Sequence, residues 1–167
     1  MALLEWSAAL ELGEARMDDT HREFVDCLNA LGEADDQSLV AALDRFIEHS
    51  DAHFGDENTR MEATQFPPAH CHMTEHANVL GLCREVRQMV IDGKTEVGRV
   101  LARELAPWFT QHASSMDTML AYWLNLDPAG RLDALRISQE RQAQMQAALA
   151  AQGEPAAPMA CGPGCGH

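Results

Sequence analysis

Residues 53–76 read HFGDENTRMEATQFPPAHCHMTEH, and this stretch decides the fold because it places two pairs of metal-binding side chains on either side of a proline turn. Side chains four residues apart lie on one face of an α-helix, stacked one turn above the other. His53 and Glu57 therefore point in one direction from one helix, and His72 and His76 do so from the next. The prolines between them break the chain and predict a connection between two helices.

Three further candidates extend this pattern on both sides. His21 stands alone upstream, while His112 and Asp117 stand downstream at a spacing of five residues. A straight helix would offset such a pair around its circumference, which suits a ligand that reaches sideways to bridge two metals. Seven imidazole and carboxylate ligands are too many for one ion, and a mixed nitrogen and oxygen set is typical of iron or manganese. The pattern predicts a two-metal site inside a helix bundle, with these ligands: His21, His53, Glu57, His72, His76, His112 and Asp117.

Composition favours helix and excludes several classes of partner. A chain of 167 residues is one ordinary domain, and its low aromatic content of 5% favours an all-α fold over a sheet. The formal net charge of −14 argues against nucleic acid or an anionic membrane surface as a partner. The sequence has neither the ~20 consecutive apolar residues of a membrane span nor a secretion signal, so we expect a cytoplasmic protein. Five cysteines, an odd number, fit reduced thiols better than a disulfide framework.

Four long helices joined by short turns are expected, preceded by an N-terminal arm over residues 1–17. Asp18, Asp19 and Thr20 supply N-cap chemistry for the first helix. Pro107 lies inside the fourth helix and predicts a kink or break there. Short connections imply antiparallel neighbours, and therefore an up-down-up-down four-helix bundle. The helices are expected at about these positions: 18–34, 39–64, 69–91 and 95–126.

The chain divides into three regions by composition. Residues 1–127 form the bundle domain, residues 128–152 an additional C-terminal helix, and residues 153–167 a flexible tail rich in Gly and Pro. The C-terminal helix is the candidate surface for a protein partner or for self-association. The tail ends in a small cluster of soft ligands that is compatible with zinc, copper(I) or a disulfide, although short tails of this composition more often have no metal role. The cluster consists of Cys161, Cys165 and His167.

Taken together, these motifs resemble those of the hemerythrins, specifically the single-domain bacterial ones. The resemblance covers about residues 3–125, in the family's order and at its spacing. Each motif alone is weak, but the set is specific. The matching positions are Trp6 and Ser7, residues 17–21, residues 53–57 with Met61, Phe66 and Pro67 leading to His72 and His76, and Trp108 leading to His112 and Asp117.

The resemblance implies an oxo- or hydroxo-bridged pair of non-heme iron ions that binds O2 reversibly, and a binding protein rather than an enzyme. Five neutral imidazoles and two carboxylates carry less negative charge than the carboxylate-rich sites of ferritin-like proteins, which favours reversible O2 binding over oxidative chemistry. In the family's arrangement three histidines hold one iron, two hold the other, and both carboxylates bridge. Carried over to this chain, the three sets are His72, His76 and His112; His21 and His53; and Glu57 and Asp117.

Four residues are expected to form the O2 pocket: Phe54, Trp108, Phe109 and Ala113. Phe109 and Ala113 stand where the family usually has leucine and isoleucine, so the pocket is expected to be roomier or shifted. This departure keeps an alternative open, a di-iron sensor or oxidase-like enzyme that reacts with O2, peroxide or nitric oxide without releasing O2 intact. His49 and His70 match no ligand position, and we expect both at the surface, with His49 the candidate for lining the approach to the site.

Overall fold

The helices follow the expected order in the computed structural model, which describes residues 2–151. A short 3-10 turn, Ala8–Leu10, interrupts the N-terminal arm. The fourth helix of the bundle consists of α4, a π-helical turn and α5 joined end to end. The elements are α1 (Ala15–Glu33), α2 (Leu39–Ala63), α3 (Ala69–Ile91), α4 (Thr95–His112), the π turn (Ala113–Asp117), α5 (Thr118–Asn125) and α6 (Pro128–Ala151).

Helices that follow one another in the sequence pack side by side, and α1 also packs against α4, which closes the bundle. Residues with a positive φ allow the chain to reverse in short turns between helices. Gln65 adopts a positive φ of 54° before the Phe66–Pro67 turn, and α3 ends where Gly93 adopts a φ of 91°. The Lys94 N–H donates to the Met89 carbonyl at 2.9 Å there, as in a glycine-terminated helix. The predicted up-down-up-down four-helix bundle is confirmed.

The core has two apolar clusters with a polar layer between them. The larger cluster includes Phe24, Phe46 and Phe109 and fills the end of the bundle that holds the α1–α2 turn. The smaller cluster includes Met61 and Trp123 near the α2–α3 turn. Because both clusters exclude water, any polar side chain between them must be satisfied by a neighbour or by a ligand.

The start of α1 differs from the prediction. The helix begins at Ala15, and Glu14 caps it by accepting from the Met17 N–H at 2.8 Å. Asp18 instead lies buried within the first turn and accepts from the backbone N–H groups of Leu12, at 2.7 Å, and Gly13, at 3.1 Å. The prediction of N-cap chemistry from residues 18–20 was wrong, because the Asp18 carboxylate binds the backbone of the N-terminal arm and Glu14 caps the helix.

Of the kink or break predicted at Pro107, the break was wrong, because α4 continues through that position and the chain departs from α-helix only at Ala113. Pro107 and Arg103 are both exposed. Because proline has no backbone N–H, the Arg103 carbonyl lacks the helical hydrogen bond that residue 107 would otherwise donate. The lost hydrogen bond therefore faces solvent, where water replaces it.

Helix α6 contributes no buried side chain among the described residues. It is attached at its start, where the Arg131 guanidinium donates to the carbonyls of Trp123 and Leu124 at 3.1 and 3.0 Å. Leu135 packs at the edge of the smaller apolar cluster. Within residues 2–151, no helix is both long and apolar enough to cross a membrane. The candidate soft ligands Cys161, Cys165 and His167 lie outside the described residues.

Candidate metal centre

The polar layer between the two apolar clusters consists mainly of the seven predicted ligands. They come from all four helices of the bundle, and each is at most 4% exposed. The α-helical spacing of four explains why α2 and α3 each contribute a pair on one face. The ligands are His21 on α1, His53 and Glu57 on α2, His72 and His76 on α3, His112 at the end of α4, and Asp117 at the end of the π turn.

Three of these imidazoles converge at one side of the layer. His112 Nε2 lies 3.0 Å from His72 Nε2 and 3.1 Å from His76 Nε2. Two imidazole nitrogens that each lie about 2.1 Å from one metal ion, at a right angle, are separated by about 3.0 Å. The donor atoms of these three histidines, Glu57 and Asp117 all lie within 4.8 Å of one another. The spacing therefore fits shared coordination of one ion.

A second group lies at the other side of the layer, where His21, His53 and Glu57 bring their donor atoms within 4.8 Å of one another. His53 Nε2 lies 3.2 Å from Glu57 Oε1. His21 Nε2 lies 3.7 Å from the same oxygen and 3.4 Å from Asp117 Oδ2. This group has two imidazoles where the first has three.

Each carboxylate presents one oxygen to each group. Glu57 turns Oε1 toward His21 and His53, and its Oε2 lies 3.4 Å from His76 Nε2. Asp117 turns Oδ2 toward His21, and its Oδ1 lies 3.0 Å from His72 Nε2. A carboxylate placed in this way can bind two cations at once, one through each oxygen.

Buried donor atoms without partners test whether these residues fit metal ions. Within the described chain, both nitrogens of His21, Oε2 of Glu57 and both oxygens of Asp117 have no hydrogen-bond partner. The contacts of Asp117 with neighbouring imidazoles are short but lack hydrogen-bond geometry. Because leaving a buried polar atom unpaired costs about 1–3 kcal/mol, such a cluster is expected to have a ligand of its own. Cations between the two groups would satisfy these atoms.

The electrostatics of the cluster keep both carboxylates ionised. Burial raises the pKa of Glu57, and so does the charge of Asp117, but the nearby imidazoles of His21 and His53 outweigh both and lower that pKa to about 2. Burial likewise opposes ionisation of Asp117, but the charge of the adjacent His112 imidazole outweighs it and lowers its pKa well below the usual range. Two negative charges are therefore enclosed in the core, which favours the binding of cations.

The π turn determines where Asp117 points. The Thr118 N–H donates to the Ala113 carbonyl five residues earlier, and the Thr118 hydroxyl donates to the same oxygen at 2.9 Å. In this wider turn, residues five apart lie on one face, so Asp117 Oδ1 lies 3.2 Å from His112 Nε2. A straight helix would offset this pair, but the π turn accommodates the extra residue and brings both side chains onto one face.

Comparison with known proteins agrees with this geometry. The family model for the hemerythrin HHE cation binding domain matches residues 12–124. The chain belongs to the hemerythrin family. This hemerythrin is 50% identical over 124 residues to a bacteriohemerythrin of Ralstonia nicotianae, covering 74% of this chain and 90% of that relative. It is 27% identical over 125 residues to a bacteriohemerythrin of Methylococcus capsulatus, covering 71% of this chain and 95% of the relative.

The fold of this hemerythrin matches solved structures as well. The crystal structure of a wild-type hemerythrin superposes with a TM-score of 0.70 at 25% sequence identity, covering 75% of this chain and 100% of that one. A point variant of hemerythrin gives a TM-score of 0.69 at 26% identity with the same coverage. The family model ends at residue 124, before α6 begins.

Ring contacts place three of the four expected pocket residues on opposite sides of the centre. Phe54 stacks on His76, with ring centroids 4.0 Å apart, and Trp108 stacks on His112 at 4.8 Å. Both therefore lie against the three-histidine group. Phe109 instead packs against His21 in a T-shaped arrangement, with ring centroids 5.1 Å apart. Ala113 is fully buried in the larger apolar cluster, which contains both Phe54 and Phe109.

Supporting residues that the sequence analysis did not single out also contact the ligands. Phe24 stacks on Phe109 with ring centroids 4.3 Å apart, so it lies on the two-histidine side. The Asn58 amide oxygen accepts from His76 Nδ1 at 3.0 Å, which leaves Nε2 of that ring for the centre. Glu75 Oε1 accepts from Trp108 Nε1 at 2.9 Å. Each of these residues lies next to a ligand in the sequence or three residues away from one. That proximity is the signal that could have identified them as supporting residues.

The remaining histidines differ from each other. His70 is exposed, as predicted. His49 is half-buried against the rings of Phe24 and His53, at centroid distances of 6.3 and 5.9 Å. The expectation of a surface position for His49 was wrong, and burial lowers the pKa of its imidazole.

Proposed function

We propose that the two ligand groups hold two iron ions and that the centre binds O2 reversibly, for oxygen storage, delivery or sensing. The observation that carries this proposal is the unequal division of the ligands. Each carboxylate directs one oxygen toward each group, but one group has three imidazoles and the other has two. The ion held by His21 and His53 would therefore have one protein ligand fewer, which leaves it a position for a small molecule.

Each ligand has a separate task in this proposal. His72, His76 and His112 would complete the coordination of one iron, and His21 and His53 would hold the other. Glu57 and Asp117 would bridge both ions through separate oxygens. Iron at such a centre supplies the reversible binding of O2. The protein contributes the fixed geometry and the exclusion of water.

The apolar wall on the two-histidine side supports binding rather than turnover. Phe24, Phe109 and Ala113 are buried and offer no proton donor or acceptor side chain. Phe24 and Phe109 exclude water on the face of the two-histidine group that they cover, and none of the three residues can act as a general acid or base. We therefore propose a binding protein rather than an enzyme.

A second candidate rests on Phe109 and Ala113, which replace the usual leucine and isoleucine of the family. If these changes admit water or larger molecules to the open position, the centre would act as an oxidase-like site or as a sensor of O2, peroxide or nitric oxide. The two candidates differ in whether O2 is released unchanged.

Reversibility distinguishes them. The metal-free protein would be loaded with two equivalents of ferrous iron without oxygen, exposed to air, and then returned to an oxygen-free atmosphere while visible absorption is recorded. An absorption band that forms in air and disappears when oxygen is removed supports the carrier. A band that never forms, or that changes directly to a stable ferric spectrum, contradicts it and favours the second candidate. His112→Ala should lose the band, whereas His70→Ala, at an exposed position, should keep it.

A further inference from the structure

An open cleft between α1 and α2 reaches the two-histidine group from solvent. Its volume is about 210 Å³, and its walls include Arg16, Glu23, His49 and Asp56. Its floor is the metal ligand His53, whose side chain is only 3% exposed. Nδ1 of His53 is buried and has no hydrogen-bond partner within the described chain. We call this cavity the His49 cleft.

A second cavity approaches the centre at the three-histidine group and is much smaller. Its volume is about 30 Å³, and it lies beside His112 and Trp108. The hydrogen bond between Trp108 Nε1 and Glu75 Oε1 fixes the indole that forms its wall. A space of this size holds roughly one water molecule, so a hydrated metal ion does not fit. Of these two approaches, only the His49 cleft is wide enough for a hydrated cation.

Cation ligands follow one another from the mouth of the His49 cleft to its floor. Glu23 is 71% exposed, and its Oε2 lies 3.8 Å from His49 Nδ1. The other ring nitrogen of His49, Nε2, is buried without a hydrogen-bond partner in the described chain. The His49 ring centroid lies 5.9 Å from that of His53. Asp56 is already paired with Arg16, so Glu23 and His49 are the ligands that the cleft offers to an incoming ion.

These residues do not form a third resident site. Among the described residues, the groups whose donor atoms converge within 4.8 Å include neither Glu23 nor His49. An ion can pass from one ligand to the next when the ligands are spaced along a path. Ligands gathered around one point would instead hold the ion in place. The net charge of −14 adds a long-range attraction for cations toward the protein as a whole.

We propose that the His49 cleft is the passage through which ferrous iron enters and leaves the two-histidine group, with Glu23 and His49 as its transient ligands. This inference rests on the proposed di-iron centre. Because entry and exit use the same path, a change in the cleft should alter both rates and leave the final occupancy unchanged.

The rates of iron uptake and removal test this inference. Metal-free full-length protein would be mixed without oxygen with ferrous iron, and a colorimetric ferrous chelator would report the free ion during uptake and later extraction. His49→Leu removes the imidazole and keeps apolar contact with Phe24. Its uptake and extraction should both be about ten-fold slower than in the wild type, with two ions per chain at the end. His70→Leu, the same change at an exposed position on α3, should match the wild type.

Glu23→Gln provides a second variant at an exposed position that leaves the fold intact. Its uptake should be slower at low ionic strength and should approach the wild-type rate as salt screens the lost charge. If both His49→Leu and Glu23→Gln take up and release iron at the wild-type rates, the proposed passage is refuted, whereas the proposed di-iron centre is not affected. A wild-type protein that does not take up two ions would instead refute the centre itself. If His49→Leu does not fold, the salt-dependent rate of Glu23→Gln decides alone.

Discussion

Glu14 links the start of α1 to α2. Its side chain accepts from the Met17 N–H and forms an ion pair with Arg60, whose Nη2 lies 2.9 Å from Oε1. The Arg60 hydrogen bond lowers the pKa of Glu14 below its ordinary value of 4.5. A carboxyl whose pKa is lowered on folding stabilises the protein above the unfolded pKa, and this contribution is lost as the pH falls through the folded pKa.

Glu14→Gln should therefore reduce the free energy of unfolding by on the order of 1 kcal/mol near neutral pH. The difference from the wild type should shrink as the pH is lowered from about 7 to about 3, because the wild-type carboxyl then becomes protonated as well. Thermal unfolding followed by circular dichroism across this range measures it. Glu140→Gln, which breaks an exposed pair with Arg136, is the control and should have little effect at any pH.

Ala113 is a fully buried residue of the apolar cluster that also contains Phe109. Ala113→Ile restores the residue that is usual in the family and should slow the decay of the air-formed absorption band, because less water reaches the centre. The variant should also lose about 1–3 kcal/mol of stability, since the added carbons enter a packed core. Decay of the band over time at constant temperature measures the first effect. An unchanged or faster decay would refute the role of Ala113 in the pocket.

At the scale of the element, the π turn converts a spacing of five residues into a shared face. Deletion of the exposed Ser114 would leave His112 and Asp117 four residues apart in an ordinary α-helix, which also places them on one face. We expect this deletion to retain two metal ions per chain. Insertion of one alanine after Ser114 would make the spacing six and should reduce the metal content. Elemental analysis of the purified proteins measures both.

Ser114→Ala controls for loss of the hydroxyl without a change of length, and it should bind metal as the wild type does. A deletion variant without metal would show that the π backbone is required in itself. An insertion variant with full metal content would show instead that the helix adjusts freely around Asp117.

Helix α6 and the tail beyond it are separate from the metal centre in our proposal. Deletion of residues 153–167 should leave the absorption spectrum of the iron-loaded protein unchanged. Deletion from residue 128 onward should retain two ions per chain but lower the unfolding temperature, because the carbonyls of Trp123 and Leu124 lose their Arg131 donor. Metal analysis and thermal unfolding of both truncated proteins check this division. Loss of the metal spectrum on either deletion would contradict it.

Regular elements were predictable from the sequence because their periodicity is a property of the backbone alone. The pairs on α2 and α3 fall on common faces at a spacing of four, and α3 ends at Ile91, as predicted. The exceptions depend on tertiary contacts. Aspartate is a common N-cap residue, but the oxygens of Asp18 accept hydrogen bonds from the backbone of the folded N-terminal arm instead. The π turn at Ala113 could not be predicted, since an exposed Ser114 in an α-helix would be equally acceptable locally.

The same distinction applies to the site. His21 was identified only because six other candidates accompanied it, since a single histidine carries little information. The half-buried position of His49 depends on how Phe24 from α1 meets α2, which no local pattern shows. Likewise, the assignment of Phe54 and Trp108 to the three-histidine side depends on the packing of rings across helices.

For the whole molecule, the centre places two ionised carboxylates in the middle of the core. Cations that bind the folded state and not the unfolded chain stabilise the fold by mass action, by about 2.7 kcal/mol when the free ion is a hundred-fold above its dissociation constant. Removal of metal by a chelator should therefore lower the unfolding temperature, and restored ferrous iron should raise it again. Thermal unfolding with and without chelator measures the change. An equal unfolding temperature in both conditions would contradict a metal-dependent core.

The contact between Trp108 and His112 has a consequence for observation of the protein. The indole stacks on a ligand imidazole at a centroid distance of 4.8 Å, whereas Trp123 lies in the smaller apolar cluster and Trp6 packs against the larger one. A paramagnetic ion held by His112 would therefore be close enough to quench the emission of Trp108. The ultraviolet fluorescence of the unlabelled protein should thus serve as a built-in optical gauge of occupancy, and Trp108→Phe should remove most of its response.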